Sequence, residues 1–486
     1  MFAEIHIERG RIRAVLPNTE ATVIRNETET WTVPGGHVLP GFVDNHAHIV
    51  GLGRRLTLLS LHDATSLEDC LDRIRTASTL GGWVQAMGWN QELWGVPTLP
   101  TTADLDRVRS DVPVMATRVD GHAMWCNSAA LALAGISARE SVLIDDDMTP
   151  VWSVVPKPTA EELEVMILAA TEECARVGIT EVHDMDVDVD WLEPMRLLAE
   201  SGRLPVRVQS FVRAHNGQWR DWGLLPAGGE FLRICGVKLY ADGALGSRGA
   251  LLRHPYADAP DTYGLELLSI ESIVQECRLA LDAGWWSIAI HAIGDAAVRN
   301  VLDAYTVVRS WPDGGDVLLR IEHAQHVSPD DVLRMHDLHV FACVQPTHCL
   351  SDAPMAERRL GQERLADAYR WQSLISAGVR LGAGSDFPIE PPSPLAGIDA
   401  FVRRMPYGSS STWCGDERIS RLDAIRAFTS WAHATADMDH RRGTIAVGMD
   451  ADLVILDRDI LTCSDEELRD TCVLATFTAG KRRYPA

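Results

Sequence analysis

Val38-Leu-Pro-Gly-Phe-Val-Asp-Asn-His-Ala-His48 is the most informative run in this sequence. It reads as a short apolar strand that ends in His-x-His. In a strand, side chains at i and i+2 share a face, so His46 and His48 point the same way. Two imidazoles on one face at a strand end make half of a metal site. An isolated pair of this kind is more often two solvent-facing histidines. The ends of the later strands decide between the two readings.

Working outward, strand-like segments recur at 38–45, 179–183, 205–211, 234–240, 286–291, 317–322, 339–345 and 379–385. Amphipathic helical stretches, for example 161–177, 269–283 and 296–308, separate many of them. Eight strands joined by helices predict an α/β fold, a closed (β/α)8 TIM-like barrel spanning 38–439. A doubly wound open sheet is the alternative, but it does not need eight strands. The gap after the first strand is too long for a simple crossover. It carries its own strand-like pieces at 83–89 and 112–117, so 52–160 reads as an inserted subdomain, a lid or a pocket wall. Its tryptophans, Trp83, Trp89 and Trp94, suit either an aromatic pocket or the insertion's own core. Both ends of the chain are β-rich. Segments 3–8 and 11–15 alternate around Arg9-Gly10 as a hairpin does, and 451–457 and 473–478 are strand-like before the turn Ala479-Gly480. Neither end has the apolar surface to stand alone, so 1–37 and 440–486 are expected to pair into one flanking β-sandwich.

Composition narrows the function. Of 486 residues, 46% are hydrophobic and 23% charged, the balance of a soluble globular protein. Asp and Glu number 68 against 45 Lys and Arg, and the net charge of −23 repels phosphate backbones, which argues against nucleic-acid binding. No apolar run approaches the ~20 residues that span a bilayer. The N-terminus alternates like a strand and lacks the plan of a signal peptide, so a cytoplasmic location is expected. Ten cysteines with no Cys-x-x-Cys pair suit small buried side chains better than a disulfide or zinc framework. The expected partner is a small-molecule substrate, with no nucleic acid or membrane, and a homodimer is a candidate assembly.

Six side chains fall at the C-terminal ends of the expected strands: His46, His48, Lys238, His291, His323 and Asp386. Barrel strands converge at that end, so residues far apart in sequence meet around one axis. Each alone has a commoner explanation, as a rim histidine, a solvated lysine or a turn aspartate. Four His and one Asp together are better explained by a metal centre. Neutral imidazoles bind zinc-like ions and a carboxylate adds an oxygen ligand. A bound divalent ion lowers the pKa of water from 15.7 towards ~7, and Asp386 could take that water's proton and pass it to a leaving nitrogen. Lys238 is the odd member, because an ammonium beside a metal is unfavourable. Its amine could react with CO2 to give an anionic carbamate.

These motifs resemble the amidohydrolase superfamily, in the branch of amidohydrolase family 3 that includes N-substituted formamide deformylase-like proteins. The resemblance runs from Gly10 to Leu474. It rests on Pro40-Gly-Phe-Val-Asp-Asn-His-Ala-His48, Gly88-Trp-Asn, Asp120-Gly-His-Ala-Met-Trp-Cys-Asn-Ser128, Gly178-Ile-Thr-Glu-Val-His-Asp184, Lys238-Leu-Tyr-Ala-Asp-Gly-Ala-Leu-Gly-Ser-Arg248, His291-Ala-Ile-Gly-Asp295, Ile321-Glu-His-Ala-Gln325 and Gly384-Ser-Asp386. It implies a metal-dependent hydrolase with His46 and His48 on one metal, His291 and His323 on a second, and carboxylated Lys238 bridging them. Asp386 would be both ligand and general base. Zinc stands first among the metals, as one ion or two. Asp120, His122 and Asn127 would either contact substrate or form a buried polar network in the insertion. Arg248 would pair with an anionic substrate group or with a structural carboxylate, and Asp242 and Ser247 follow Lys238 in the same polar loop. Gln345 and His348 would line the pocket, while His183 and Asp184 would support the ligands. Relatives usually carry one more strand before the segment equivalent to 3–15, so the β-unit here is expected to have an exposed edge. The expected activity is hydrolysis of a non-peptide C–N bond, of amide or formamide type, in a small molecule. The alternatives are deamination of a cyclic amidine and a catalytically silent binding barrel.

Overall fold

The computed structural model describes residues 3–18, 20–95, 98–119, 121, 123–137, 142–214 and 217–485. In chain order the first strands are β1 (Ala3–Glu8), β2 (Arg11–Pro17), β3 (Ala21–Arg25), β4 (Thr30–Pro34), β5 (His37–Pro40) and β6 (Phe42–Ala47). Next come β7 (Leu59–Ser60), β8 (Val84–Trp89), β9 (Val114–Arg118), β10 (Ala123–Cys126) and β11 (Val142–Ile144). A third group is β12 (Ile179–Val187), β13 (Arg207–Arg213), β14 (Leu232–Tyr240), β15 (Ser287–Ala292), β16 (Leu318–His323), β17 (Val340–Val344) and β18 (Leu381–Ala383). The last are β19 (Leu453–Leu456), β20 (Val473–Thr478) and β21 (Lys481–Tyr484). Contacts divide the chain into two compact units, Met1–Ile49 with Thr171–Ala486, and Val50–Ala170.

The first unit holds the barrel. Its eight parallel strands run in the order β18-β17-β16-β15-β14-β13-β12-β6. Every residue of β6 and of β15 is buried, as expected for strands covered on both faces. The ends of the sheet meet through backbone hydrogen bonds from Asp386 N to His46 O (2.8 Å) and from His48 N to Phe387 O (2.9 Å). The barrel is closed where three of the candidate site residues, His46, His48 and Asp386, lie. Helices fall where the 3.6-residue pattern places them, at Ala160–Arg176, Ile270–Asp282 and Asp295–Arg309. Ser269 caps the second by accepting from Ser272 N.

The flanking sandwich comes from both ends of the chain. One sheet has the order β2-β1-β3-β4 and the other β21-β20-β19-β5. Ile5, Ile7, Ile12 and Ile24 of the first share a core with Val38, Leu453, Ile455 and Phe477 of the second. The hairpin turn at Arg9-Gly10 has positive φ at both central residues (50° and 74°), the pattern of a two-residue type I′ turn. The expected first barrel strand at 38–45 divides in the structure. Val38–Pro40 pairs with β19 in the sandwich, and the barrel strand begins at Phe42. Gly41 stands at the change, where a Cβ would lie 2.3 Å from the Thr180 side chain. The apolar run was continuous, but its partners differ on either side of that glycine.

The second unit is wider than the 52–160 read from sequence. It carries a five-stranded sheet of order β11-β10-β9-β8-β7. Trp83, Trp89 and Trp94 are each 5% exposed or less and belong to this unit's own cores, so the core reading holds for them. Seven of the ten cysteines are buried and all are free thiols. Among the described residues no helix is long and apolar enough to cross a membrane.

Gly384 stands at the barrel seam, where a Cβ would lie 2.5 Å from His46 N and 2.7 Å from Asp44 Oδ1. Gly384→Ala is expected to lower stability by about 1–3 kcal/mol through overpacking against backbone. Urea denaturation of the metal-free protein measures it, and an unchanged midpoint would mean that the seam is looser than described.

Candidate metal centre

All six residues from the strand ends line one cavity of about 440 Å3. His46 lies in β6 and His48 just beyond it; Lys238 lies in β14, His291 in β15, His323 ends β16 and Asp386 follows β18. Ligand atoms of His46, His323 and Asp386 lie within 4.8 Å of one another. The His323 ring centroid is 4.5 Å from that of His291 and 4.7 Å from that of His46, and the His46 and His48 rings are 5.7 Å apart. His323 and Asp386 have φ of +74° and +59°, a left-handed conformation that non-glycine residues seldom adopt and that clusters at functional sites. In β16, Arg320 and Glu322 alternate into the barrel interior, and His323, at positive φ directly after Glu322, reaches the cavity.

The outward nitrogens define the chemistry of the inward ones. His46 Nδ1 meets Glu322 Oε2 at 2.6 Å, and His48 Nδ1 meets the Met185 carbonyl at 3.0 Å. His291 Nδ1 meets Asp242 Oδ1 at 3.0 Å, and His323 Nδ1 meets Gln345 Oε1 at 2.7 Å. The Gln345 amide is oriented by its Nε2, which donates to the Cys343 carbonyl. All four partners are acceptors, so each Nδ1 carries a proton and a ring in its neutral form presents an Nε2 lone pair. His48 makes the demand explicit. Its Nε2 lies 3.1 Å from Asp386 Oδ1, so a proton or a metal cation must lie between the two lone pairs. His46 Nε2 is 3.7 Å from the same oxygen. This donor set fits a divalent metal, with imidazole nitrogens, a carboxylate and outer partners that fix every tautomer.

The titration shifts differ from ring to ring. Burial brings His46 down to about 4 and His323 well below its usual range, so both are neutral donors at neutral pH. Burial also disfavours a charged His48, but Asp386 outweighs it and raises that ring overall. Asp386 is itself held low: burial pushes it up, and His48, His46 and His323 more than reverse that. Glu322 is buried, yet Arg320 and His46 bring it to about 2, so it is an anionic acceptor for His46. Lys238 is 1% exposed, its Nζ has no hydrogen-bond partner among the described residues, and burial lowers its pKa. Its neighbour is the Tyr240 ring, 4.2 Å from Nζ to the centroid.

The candidate substrate contacts fare differently. Asp120 and His122 lie outside the described residues. Asn127 does not act as a free contact. Its Oδ1 accepts from Val114 N and Ala130 N while its Nδ2 donates to the Arg109 and Val112 carbonyls, so every bond it can make is spent on the insertion's backbone. Arg248 pairs with Asp258 at 3.0 Å, and Arg359 bonds the same carboxylate, which leaves no call for a substrate anion. Gln345 holds His323 from behind and does not line the cavity, whereas His348 does. Asp242 cradles the His291 segment, accepting from the backbone N–H groups of Ile293, Gly294 and Leu251. Ser247 bonds the Ala244 carbonyl of its own loop. His183 accepts from Arg320 Nη1 at 2.9 Å and so supports Glu322 at one remove. Asp184 accepts from Ile49 N, and burial raises it to about 7. Nothing in the sequence marked the role of Glu322, although it adjoins His323, or that of Ser351, Asp352 and Met355, which follow His348 on one helix and line the cavity.

Replacing Gln345 by Leu removes the acceptor that fixes His323, and metal affinity is expected to fall about 10–100-fold in chelator competition. An unchanged affinity would remove that role from Gln345. His326, three residues beyond His323, is buried with neither ring nitrogen partnered among the described residues, and burial lowers its pKa from 6.5 to about 3. As pH falls below 6.5 the unfolded ring takes a proton that the folded ring refuses, so stability is full above 6.5 and is lost towards 3. In His326→Leu the loss of unfolding free energy from pH 7 to pH 5.5 is expected to shrink by about 1 kcal/mol. Denaturation curves at the two pH values measure it, and an equal loss in both proteins would contradict it.

Comparison with known proteins gives the centre its context. A profile of the amidohydrolase family matches residues 34–484. Protein LONG AFTER FAR-RED 3 of Arabidopsis thaliana is 32% identical over 99% of this chain and 88% of its own length. The N-substituted formamide deformylase of Arthrobacter pascens is 27% identical over 98% of this chain and 94% of its own. The crystal structure of an uncharacterised metal-dependent hydrolase from Pyrococcus horikoshii is similar at 29% identity and a TM-score of 0.78, covering 89% of this chain and 88% of that one. The chain belongs to the amidohydrolase family, as a metal-dependent hydrolase of carbon–nitrogen bonds.

Proposed function

We propose that this chain hydrolyses an amide- or formamide-type bond of a small molecule, with zinc held by His46, His48, His291, His323 and Asp386. The observation that carries the reading is the set of four imidazoles whose outward nitrogens all face acceptors, which turns four lone pairs towards one cavity. A divalent ion held there would supply Lewis acidity for the carbonyl oxygen and would lower the pKa of a bound water towards neutrality. Asp386 stays ionised beside it, takes the proton of the attacking water and delivers it to the leaving nitrogen. The C–O bond forms, the C–N bond breaks, and a carboxylate and an amine are released. Lys238 completes the ligand set as a carbamate. Burial favours its neutral amine, the form that adds to CO2 with loss of a proton. The similarity to a formamide deformylase supports an acyl or formyl amide as the substrate type, and the charge of −23 supports a small molecule over a polyanion.

Chelator-treated protein reconstituted with zinc, cobalt or manganese, assayed on N-formyl, N-acyl and cyclic amides, tests the reading. Activity is expected to track stoichiometric metal, and Asp386→Asn is expected to lower kcat about 10²–10⁴-fold. A variant as fast as wild type would remove Asp386 from proton transfer. Release of ammonia from cyclic amidines, with all amides inert, would replace amide hydrolysis by deamination.

A further inference from the structure

The cavity has two unlike halves. Its floor is the imidazole cluster with Asp386 and Lys238. One wall comes from the helix Pro346–Leu360, on which His348, Ser351, Asp352 and Met355 fall at i, i+3, i+4 and i+7 and share the face that lines the cavity. Gln325 and Glu390 stand in the same lining. Three side chains of this lining offer acceptors. Gln325 is 3% exposed, and its Oε1 has no hydrogen-bond partner among the described residues. Asp352 takes one bond, from the Tyr369 hydroxyl to Oδ2 at 2.6 Å. Glu390 takes one, from Ser351 Oγ to Oε1. Among the described residues of the lining, Lys238 on the floor is the one lysine or arginine. Arg248, the cation that sequence offered for a substrate anion, is committed to Asp258.

A substrate carboxylate on that side would meet two carboxylates and no cation, which is repulsive. A protonated primary amine would meet the reverse. Its three N–H donors match in number the three acceptors of Gln325, Asp352 and Glu390. Leu245, Ile293, Met355 and Ile389 give the cavity apolar surface for the hydrocarbon between that amine and the scissile bond.

We propose that Gln325, Asp352 and Glu390 form a subsite for a substrate ammonium group remote from the scissile bond, so that the preferred substrates are cationic amides and N-acyl amino acids with a free carboxylate are rejected. The proposal rests on the hydrolase reading for which end of the substrate lies over the floor.

Three N-formylbenzylamines of matched shape test it, with aminomethyl, methyl or carboxylate in the para position. Their affinities for the metal-loaded enzyme are read by calorimetry and their turnover is read separately. The aminomethyl compound is expected to bind at least about tenfold more tightly than the methyl compound, with the carboxylate weakest. In Asp352→Asn/Glu390→Gln the ratio of the first two is expected to fall to about one, because both amides keep their shape and lose the charge. Glu390→Gln alone, at the half-buried rim, is expected to lower the ratio part of the way and serves if the double variant folds poorly. An aminomethyl compound that binds no more tightly than its methyl counterpart, or whose advantage survives the substitutions, overturns the subsite. Charge-ranked binding with no turnover of any amide would count against amide hydrolysis and leave the subsite standing. Turnover with the carboxylate preferred would do the opposite.

Discussion

Imidazole rings with centroids 4.5 and 4.7 Å apart tolerate one another only while they are uncharged, and they chelate only while every inward nitrogen is bare. Burial meets the first condition at His46 and His323, and an acceptor behind each ring meets the second by holding the proton on the outward nitrogen. The acceptors come from different parts of the barrel: the Met185 carbonyl of β12, Asp242 beyond β14, Glu322 of β16 and Gln345 beyond β17. The closed parallel sheet matters to the chemistry for this reason. An open sheet would leave its two edge strands, here β6 and β18, too far apart for His46 and Asp386 to share a cavity.

Beneath the centre, the same need for fixed charge continues as a buried ionic chain. Glu322 is paired with Arg320, whose Nη1 donates to His183. His183 in turn bonds Glu181, Glu181 pairs with Arg442 at 2.5 Å, and Arg442 reaches Asp450 at 2.9 Å. Arg207 of β13 meets Asp452 at 2.7 Å beside them. Buried pairs of this kind add little net stability, because desolvation offsets their attraction. Removing one partner is costly, since the other is left charged in an apolar setting. The chain therefore acts on register more than on stability, tying the barrel strand that carries Glu322 to the segment that leads into β19 of the sandwich.

Much of this was legible from the amino acids. The eight strand positions, the hairpin at Arg9-Gly10 and the six strand-end residues follow from periodicity and from where polar side chains interrupt apolar runs. The division at Gly41 was hidden, because an apolar strand shows that it is buried but not which neighbour it pairs with. The second tier of polar residues was only partly visible. Glu322 and Arg320 read as ordinary alternating strand residues, and nothing local shows that their partners lie in β6 and β12, far away in the chain. Asn127 and Arg248 had two readings each, and the structural one holds for both. Their motifs stood out, yet their bonding capacity is consumed by backbone and by Asp258.

Pairing the two ends of the chain has a consequence in time. Asn26 Nδ2 bonds the Gly480 carbonyl across 454 positions of sequence, and β5 has β19 as its ladder partner. Contacts of this separation are slow to form, because loop closure must be completed before they contribute. During synthesis the leading sheet emerges long before the strands that share its core, and β6 emerges long before β18 can close the seam. His46 and His48 are thus made early and stay without Asp386 for most of translation. The full donor set exists only once the chain has been made past Asp386, so the last step of barrel assembly is also the step that completes the metal site.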